Sequence, residues 1–233
     1  MEKIRVITQI LDANDQIART NREILRHHHI LCVNLMASPG AGKTSLILRT
    51  SKALAGRARI GVIEGDVASQ IDSDRVASHK LPVVQINTAG QCHLDASTVR
   101  TALEALPLAE IDLLFIENVG NLICPVEFQL GEEIRTVVSS VPEGDDKPYK
   151  YPGIFSAVHA VVLNKIDLTP YVDFKLEALR KGVDSMNQKA KFFQVSCRTG
   201  EGIAAWADWL QSQRQSKADI RLQTERQKEH VPN

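Results

Sequence analysis

The sequence predicts an α/β fold, a doubly wound and mostly parallel sheet preceded by an amphipathic helix. Two observations predict it. Six short runs (ILCVNLM, RIGVIEG, PVVQIN, IDLLFIE, HAVVLNK and KFFQVS) are almost continuously apolar, and each leads into a loop carrying Gly, Asp or Asn. Such runs are the pattern of strands buried on both faces. Helical stretches alternate with them, and that alternation is the signature of parallel βαβ units.

Composition sets the outer bounds. A chain of 233 residues suits one α/β domain with a full core. Lys plus Arg equals Asp plus Glu at 28 each, so no strong field advertises nucleic acid or an anionic membrane. No run approaches the roughly 18 apolar residues of a membrane span. The start, MEKIRVITQILDAND, lacks a signal-peptide core. The expectation is a cytoplasmic protein without nucleic-acid or membrane partners, its Cys32, Cys92, Cys124 and Cys197 reduced.

Taken in order, Ile4, Ile7, Leu11, Ile17, Ile24 and Leu25 recur at helical spacing, which predicts an N-terminal helix and connector over residues 1–29. His27, His28 and His29 in that connector read as a solvated cluster or a weak metal site. The domain proper is expected at 30–213, followed by a polar tail at 214–233, either a solvated helix or disordered. Between the fourth and fifth runs, PEGDDKPYKYPG (Pro142 to Gly153) reads as a long surface loop.

Ligands of doubly wound sheets bind at the carboxyl ends of the strands. The first run opens into ASPGAGKT, Ala37 to Thr44, a P-loop with Ala where its first Gly usually stands. Gly40, Ala41 and Gly42 offer backbone amides to a phosphate, Lys43 reaches its β and γ oxygens, and Thr44 ligates Mg²⁺, with Ser45 in the first helical turn. The second run ends in Glu64-Gly65-Asp66, and Asp72 and Asp74 follow. Asp66, then Asp72, are the candidates for binding Mg²⁺ or orienting the attacking water, whereas Asp74 reads as a solvated charge. The fourth run delivers Glu117, a Walker B acid for the Mg²⁺ shell, and Gly120 beyond it resembles the glycine whose amide senses a γ-phosphate.

The base is read from Asn164-Lys165-Ile166-Asp167, an N-K-x-D box. The Asp167 carboxylate accepts from both N1–H and the exocyclic amine of guanine, which adenine cannot match. Ser196-Cys197-Arg198 resembles the loop whose backbone amide supports guanine O6. The catalytic set is therefore Lys43, Asp66, Asp72 and Glu117, acting on GTP to give GDP and phosphate. Cys92-His93 and Cys124-Pro125 supply soft ligands suited to Zn²⁺, Ni²⁺ or Cu, one short of a tetrahedral set. The alternative is two small buried cysteines and a polar loop histidine.

With SPGAGKT, EGD, CHLDA, ENVGNLICP, GDDKPYKYP and NKID in order from about Asn34 to Gly202, the sequence resembles the hydrogenase nickel-incorporation GTPases, the HypB family. The resemblance implies a SIMIBI-like P-loop GTPase fold with low turnover, and a nickel-delivering chaperone that forms a GTP-dependent homodimer. It further implies a Ni²⁺ or Zn²⁺ site of Cys92, His93 and Cys124 at the subunit interface. Its implied partners are a nickel or zinc chaperone and a hydrogenase large-subunit precursor. A lysine donated by the partner subunit is expected to assist, with Lys147 and Lys150 as candidates. The N-terminal cysteine-rich nickel motif and long histidine tracts of some members do not occur before Ile30. The urease accessory GTPases differ in a C-P-H motif, since Val126 follows Cys124-Pro125 here. A metal store with a merely structural nucleotide pocket and a small-molecule P-loop kinase are the readings from other classes, and N-K-x-D opposes the kinase.

Overall fold

A computed structural model describes residues 6–66 and 76–229, with side chains over 9–65 and 76–217. Asp72 and Asp74 lie outside the described residues, and so does the side chain of Asp66. Seven parallel strands form one sheet: β1 (Leu31–Ala37), β2 (Ile60–Asp66), β3 (Val83–Asn87), β4 (Leu113–Gly120), β5 (Ile134–Ser140), β6 (Ala160–Asn164) and β7 (Lys191–Gln194). Their order is β3-β2-β4-β1-β5-β6-β7. The chain winds one way from β1 to β3, returns through β4, then crosses β1 and winds the other way. The strand-order reversal falls beside β1, where the ligand crevice of such a sheet opens.

β1 shows why the apolar runs are continuous. Leu31, Val33 and Leu35 pack into one face of the sheet, while Cys32 and Met36 pack into the other. One face is covered by α2 (Lys43–Ala53) and α7 (Ile203–Glu229). The opposite face is covered by α1 (Val6–His27) and α3 (Ala96–Ala105), and farther along by α5 (Pro152–Ala157) and α6 (Leu176–Met186). Between β5 and α5 lies a short helix, α4 (Lys147–Lys150).

Two features depart from the sequence reading. Strand β5, IRTVVSS, is a seventh strand where six runs were apparent. Its polar Thr136, Ser139 and Ser140 are buried, so the run lacks the apolar continuity that marks the other strands. The segment expected to be a long surface loop folds instead into a 3-10 turn (Val141–Glu143) followed by α4, with Pro148 buried. Beyond these, helix α7 runs unbroken past residue 213, with Arg214 and Lys217 bonding back to the carbonyls of Arg57 and Ile30.

α1 is fastened by buried asparagines two turns apart on one face. The Asn14 amide donates to Gln129 O at 2.8 Å and accepts from Ala96 N at 2.8 Å. Asn21 Nδ2 donates to Ala96 O at 2.8 Å and Leu130 O at 3.0 Å. The helix approaches so closely that a Cβ on Gly131, at φ +106°, would lie 2.7 Å from the Asn21 Cβ. Asn21 is fully buried, so removing its amide strands two carbonyls without water. Asn21→Ala should lower stability by about 1–3 kcal/mol. Urea unfolding followed by far-UV circular dichroism measures this, and an unchanged midpoint would mean that the asparagine does not hold the helix.

Candidate nucleotide and metal sites

The P-loop leaves β1 at Ala37, whose extended, buried backbone has no positive φ, so the missing glycine costs no strain there. The left-handed positions fall on Gly40 (φ +74°) and Gly42 (φ +100°), where glycine pays no Cβ penalty. Gly42 then starts α2, aiming the first free N–H groups of that helix into the cradle. Thr44 and Lys43 converge on the Walker B acid: Thr44 Oγ1 donates to Glu117 Oε1 at 2.9 Å, and Lys43 Nζ lies 3.9 Å from the same oxygen. Glu64 is buried directly beside Glu117 in the β2–β4 register. Two carboxylates at neighbouring strand ends and a threonine hydroxyl make a hard-oxygen donor set, which fits Mg²⁺. Gly120 ends β4 against the loop, and a Cβ there would meet Pro39 Cγ at 2.8 Å and Pro39 N at 3.0 Å.

The base end of the cleft is built around Asn164. Its Nδ2 donates to Ala41 O at 2.9 Å, and its Oδ1 accepts from Lys165 N at 2.8 Å and Cys197 N at 3.1 Å. Lys165 takes a left-handed backbone (φ +61°) and donates from Nζ to Gly40 O at 2.7 Å, its stem lying along the cleft wall. Asp167 Oδ1 accepts from Ser196 Oγ at 2.6 Å, which steadies the carboxylate. A cleft of about 980 Å³ runs along these residues, lined among others by Gly40, Ser45, Asn164, Asp167, Cys197 and Arg198. Sequence reasoning missed Arg49 on α2, which donates to Cys197 O at 2.6 Å and Arg198 O at 2.7 Å and so anchors the base loop to the phosphate helix. In sequence it reads as one more solvated helix charge.

Cys92, His93 and Cys124 come together, with their ligand atoms all within 4.8 Å of one another. Cys92 Sγ lies 3.5 Å from His93 Nδ1. Its thiol pKa is raised, chiefly by a hydrogen bond with Cys124 and then by burial. Burial lowers the His93 pKa against the pull of Asp95 and Glu127, which keeps the imidazole neutral and available to a metal. The ring stacks on Phe128 with centroids 4.0 Å apart. Asn121 Nδ2 reaches Cys92 O at 3.3 Å and so ties the two ligand loops together. The triad is partly open to solvent, with Cys92 and the neighbouring Ile123 exposed. Two thiols and an imidazole suit nickel or zinc.

Behind this triad runs a buried polar chain that the sequence did not reveal. Asn118 Oδ1 accepts from Leu94 N at 3.1 Å, and Asn118 Nδ2 donates to Asn34 Oδ1 at 3.3 Å. Asn34 Nδ2 donates to Glu132 Oε1 at 3.4 Å, and Arg135 Nε donates to the same oxygen at 2.6 Å. Arg135 in turn donates to the carbonyls of Val126 and Phe128, just past Cys124.

Comparison with known proteins supplies the family. The family profile for the CobW/HypB/UreG nucleotide-binding domain matches residues 31–194. The hydrogenase maturation factor HypB of Azotobacter vinelandii is 43% identical over 219 residues, 94% of this chain and 72% of that protein. The chain belongs to the HypB family of hydrogenase maturation factors. Two solved HypB structures share the fold of this family member. That of Archaeoglobus fulgidus superposes with a TM-score of 0.82 at 39% identity, over 87% of this chain and 99% of that one. HypB of Helicobacter pylori in complex with nickel superposes with a TM-score of 0.84 at 32% identity, over 88% and 96%.

In this HypB-family chain the tightest steric condition in the cleft falls on Gly42. A Cβ there would lie 2.4 Å from Asn164 Nδ2, on a backbone at φ +100°. Gly42→Ala should therefore push Asn164 off Ala41 O and weaken guanine-nucleotide binding by at least about tenfold, a loss of about 1.4 kcal/mol. Titration with a fluorescent GDP tests this, and wild-type affinity in a folded variant would show that the cradle yields freely.

Proposed function

We propose that this protein is a GTP-dependent nickel metallochaperone, hydrolysing GTP slowly and helping to load a [NiFe]-hydrogenase precursor. The observation that carries this reading is the single connection from Glu117 to Cys124. Within it Glu117 meets Thr44, Gly120 abuts Pro39, Asn121 holds the Cys92 carbonyl, and Cys124 joins the metal triad. A shift of Gly120 toward a γ-phosphate displaces Cys124, and metal–ligand distances tolerate only about 0.2 Å of error. The relative from Helicobacter pylori, solved in complex with nickel, supports nickel as the cargo.

In this reading guanine is selected by Asp167, with the Ser196-Cys197-Arg198 loop supporting O6. Phosphates lie on Gly40 to Ser45, and Lys43 neutralises the β and γ oxygens. Thr44, Glu117 and Asp66 would hold Mg²⁺, which supplies charge neutralisation, while Asp66 or Asp72 orients the attacking water. GTP draws two copies together at the exposed Cys92–Ile123 face, and hydrolysis releases them. The acceptors are a nickel or zinc chaperone and the hydrogenase large-subunit precursor, met in the cytoplasm. Zn²⁺ fits the same ligands, so availability decides between the two metals.

Asp167→Asn should weaken GTP binding by at least about tenfold and favour xanthosine nucleotides, because a donor then faces guanine's donors. Competition between GTP and XTP in the folded variant is the measurement, and unaltered GTP affinity would remove Asp167 from base recognition. Nickel affinity should differ by about fivefold or more between the GDP and GTP-analogue states, and Cys124→Ala should abolish the difference. Nickel titration of both states at fixed pH tests this; equal affinities would mean that site and switch are merely neighbours. Absence of any GTP turnover would favour a metal store with a structural nucleotide pocket.

A further inference from the structure

The sequence offered Lys147 and Lys150 together as lysines donated across a dimer, and the structure separates them. Lys150 pairs with Asp146 at 2.5 Å on the outside, its side chain 61% exposed. Lys147 is turned inward, with 13% of its side chain exposed, and Nζ donates to Ser38 Oγ of its own P-loop at 2.8 Å. Three further features hold it there. Glu143 Oε1 lies 3.1 Å from the ammonium. The other oxygen of that carboxylate, Oε2, accepts from Ser140 N at 2.7 Å and Ser140 Oγ at 2.9 Å, so Glu143 is locked to the end of β5. The Tyr151 ring lies under the ammonium, 5.0 Å from Nζ to the centroid.

The place matters because of what borders it. Ser38 precedes Pro39, and Pro39 is the residue against which Gly120 closes. Lys43 and Thr44 stand on the helix side of the cradle, beside Glu117, so Lys43 approaches the γ oxygens from the other flank. A third phosphate projecting from a cradled diphosphate therefore enters the space bounded by Pro39, Gly120 and the start of the loop. An ammonium has three N–H donors; among the described residues Ser38 Oγ accepts one of them, and Glu143 Oε1 faces this ammonium as an ion pair. A cation fixed by packing and hydrogen bonds before the ligand arrives stabilises charge there without reorganising.

We infer that Lys147 is a cis-acting cation for the γ-phosphate, supplied by the same subunit that holds the nucleotide. The inference rests on the GTP reading and deepens it. In hydrolysis the water oxygen bonds to the γ-phosphorus and the bond from that phosphorus to the β–γ bridging oxygen breaks; one water proton stays on the inorganic phosphate and the other passes to solvent. Products are GDP and inorganic phosphate, and Lys147 stays protonated, balancing negative charge on the γ oxygens throughout. The γ end of the site is then charged in the monomer as well as in any dimer.

The test uses the full chain, fluorescent GDP and a non-hydrolysable GTP analogue, at protein concentrations where it is monomeric. Lys147→Gln, which keeps a donor for Ser38, should weaken the analogue by at least about tenfold while GDP affinity stays within about twofold, and Lys147→Arg should restore most of the loss. A mixture with Lys43→Ala protein, raised to concentrations at which the analogue-bound wild-type chain pairs, tells cis from trans. A lysine acting across the dimer would be supplied by the Lys43→Ala subunit and would rescue the analogue affinity of the Lys147→Gln subunit. A lysine acting in cis gives no rescue. A second measurement needs no variant: in monomeric wild-type protein the analogue, but not GDP, should protect Lys147 from acetylation, read by peptide mass spectrometry. Equal loss for both nucleotides, rescue on mixing, or equal acetylation with both would overturn the inference. Failure of the wild-type chain to bind guanine nucleotides at all would instead sink the GTP reading beneath it.

Discussion

The nucleotide cleft depends on one buried amide. Asn164, at the end of β6, donates to the P-loop at Ala41 and accepts from both Lys165 and Cys197. Three loops from β1, β6 and β7, far apart in the chain, thus share a single side chain with both polar atoms engaged. Lys165, lying along Gly40, and Arg49, reaching the base loop, brace the same junction from either side. The amide fits only because Gly42 has no Cβ. The loops proposed to hold phosphate and base are therefore held at a fixed spacing by the protein's own bonds, and such preorganisation lowers the ordering cost of binding.

The metal side is held on a different principle. Its candidate ligands sit on two loops between which no backbone hydrogen bond runs among the described residues, and a file of buried side chains bridges them. Asn118, Asn34, Glu132 and Arg135 run beneath β1 from the Leu94 amide to the carbonyls beyond Cys124. Helix α1 clamps the flanks of both loops from outside, through Asn14 and Asn21. A buried polar file of this kind is stable only when its members are satisfied, so each link fixes the next. Asn118 directly follows Glu117, which puts the file in covalent continuity with the phosphate site.

How much of this was legible in the sequence follows from the range of each interaction. The P-loop, Glu117 and N-K-x-D were readable because their spacing is local and set by one strand–loop junction apiece. Strands β1, β2, β4 and β6 were readable because burial on both faces leaves a nearly unbroken apolar run, and the half-buried edge strands β3 and β7 because short Val, Ile and Phe runs still mark them. β5 escaped because its buried Thr136, Ser139 and Ser140 look like loop residues. The cysteine–histidine triad could be suspected and not assembled, since Cys92 and Cys124 meet only through the fold of two separate loops. Asn21, Arg49 and Lys147 find partners more than a hundred residues away, and nothing in their neighbourhoods announces it. For Lys147 the local cue misled, because PEGDDKPYKYPG has the composition of a solvated loop.

The two tryptophans have a consequence of another kind. Both belong to α7, where Trp206 and Trp209 stack 5.4 Å apart and share Phe193. Trp206 is fully buried and donates from Nε1 to Thr50 Oγ1 of the P-loop helix at 3.0 Å. They pack on one face of the sheet, whereas Leu94 and Leu122, close in sequence to Cys92 and Cys124, pack on the other. The intrinsic emission of this protein is therefore a one-sided optical reporter, wired to the phosphate helix and blind to the metal triad. A spectral change on adding metal alone is a signal that has crossed the sheet.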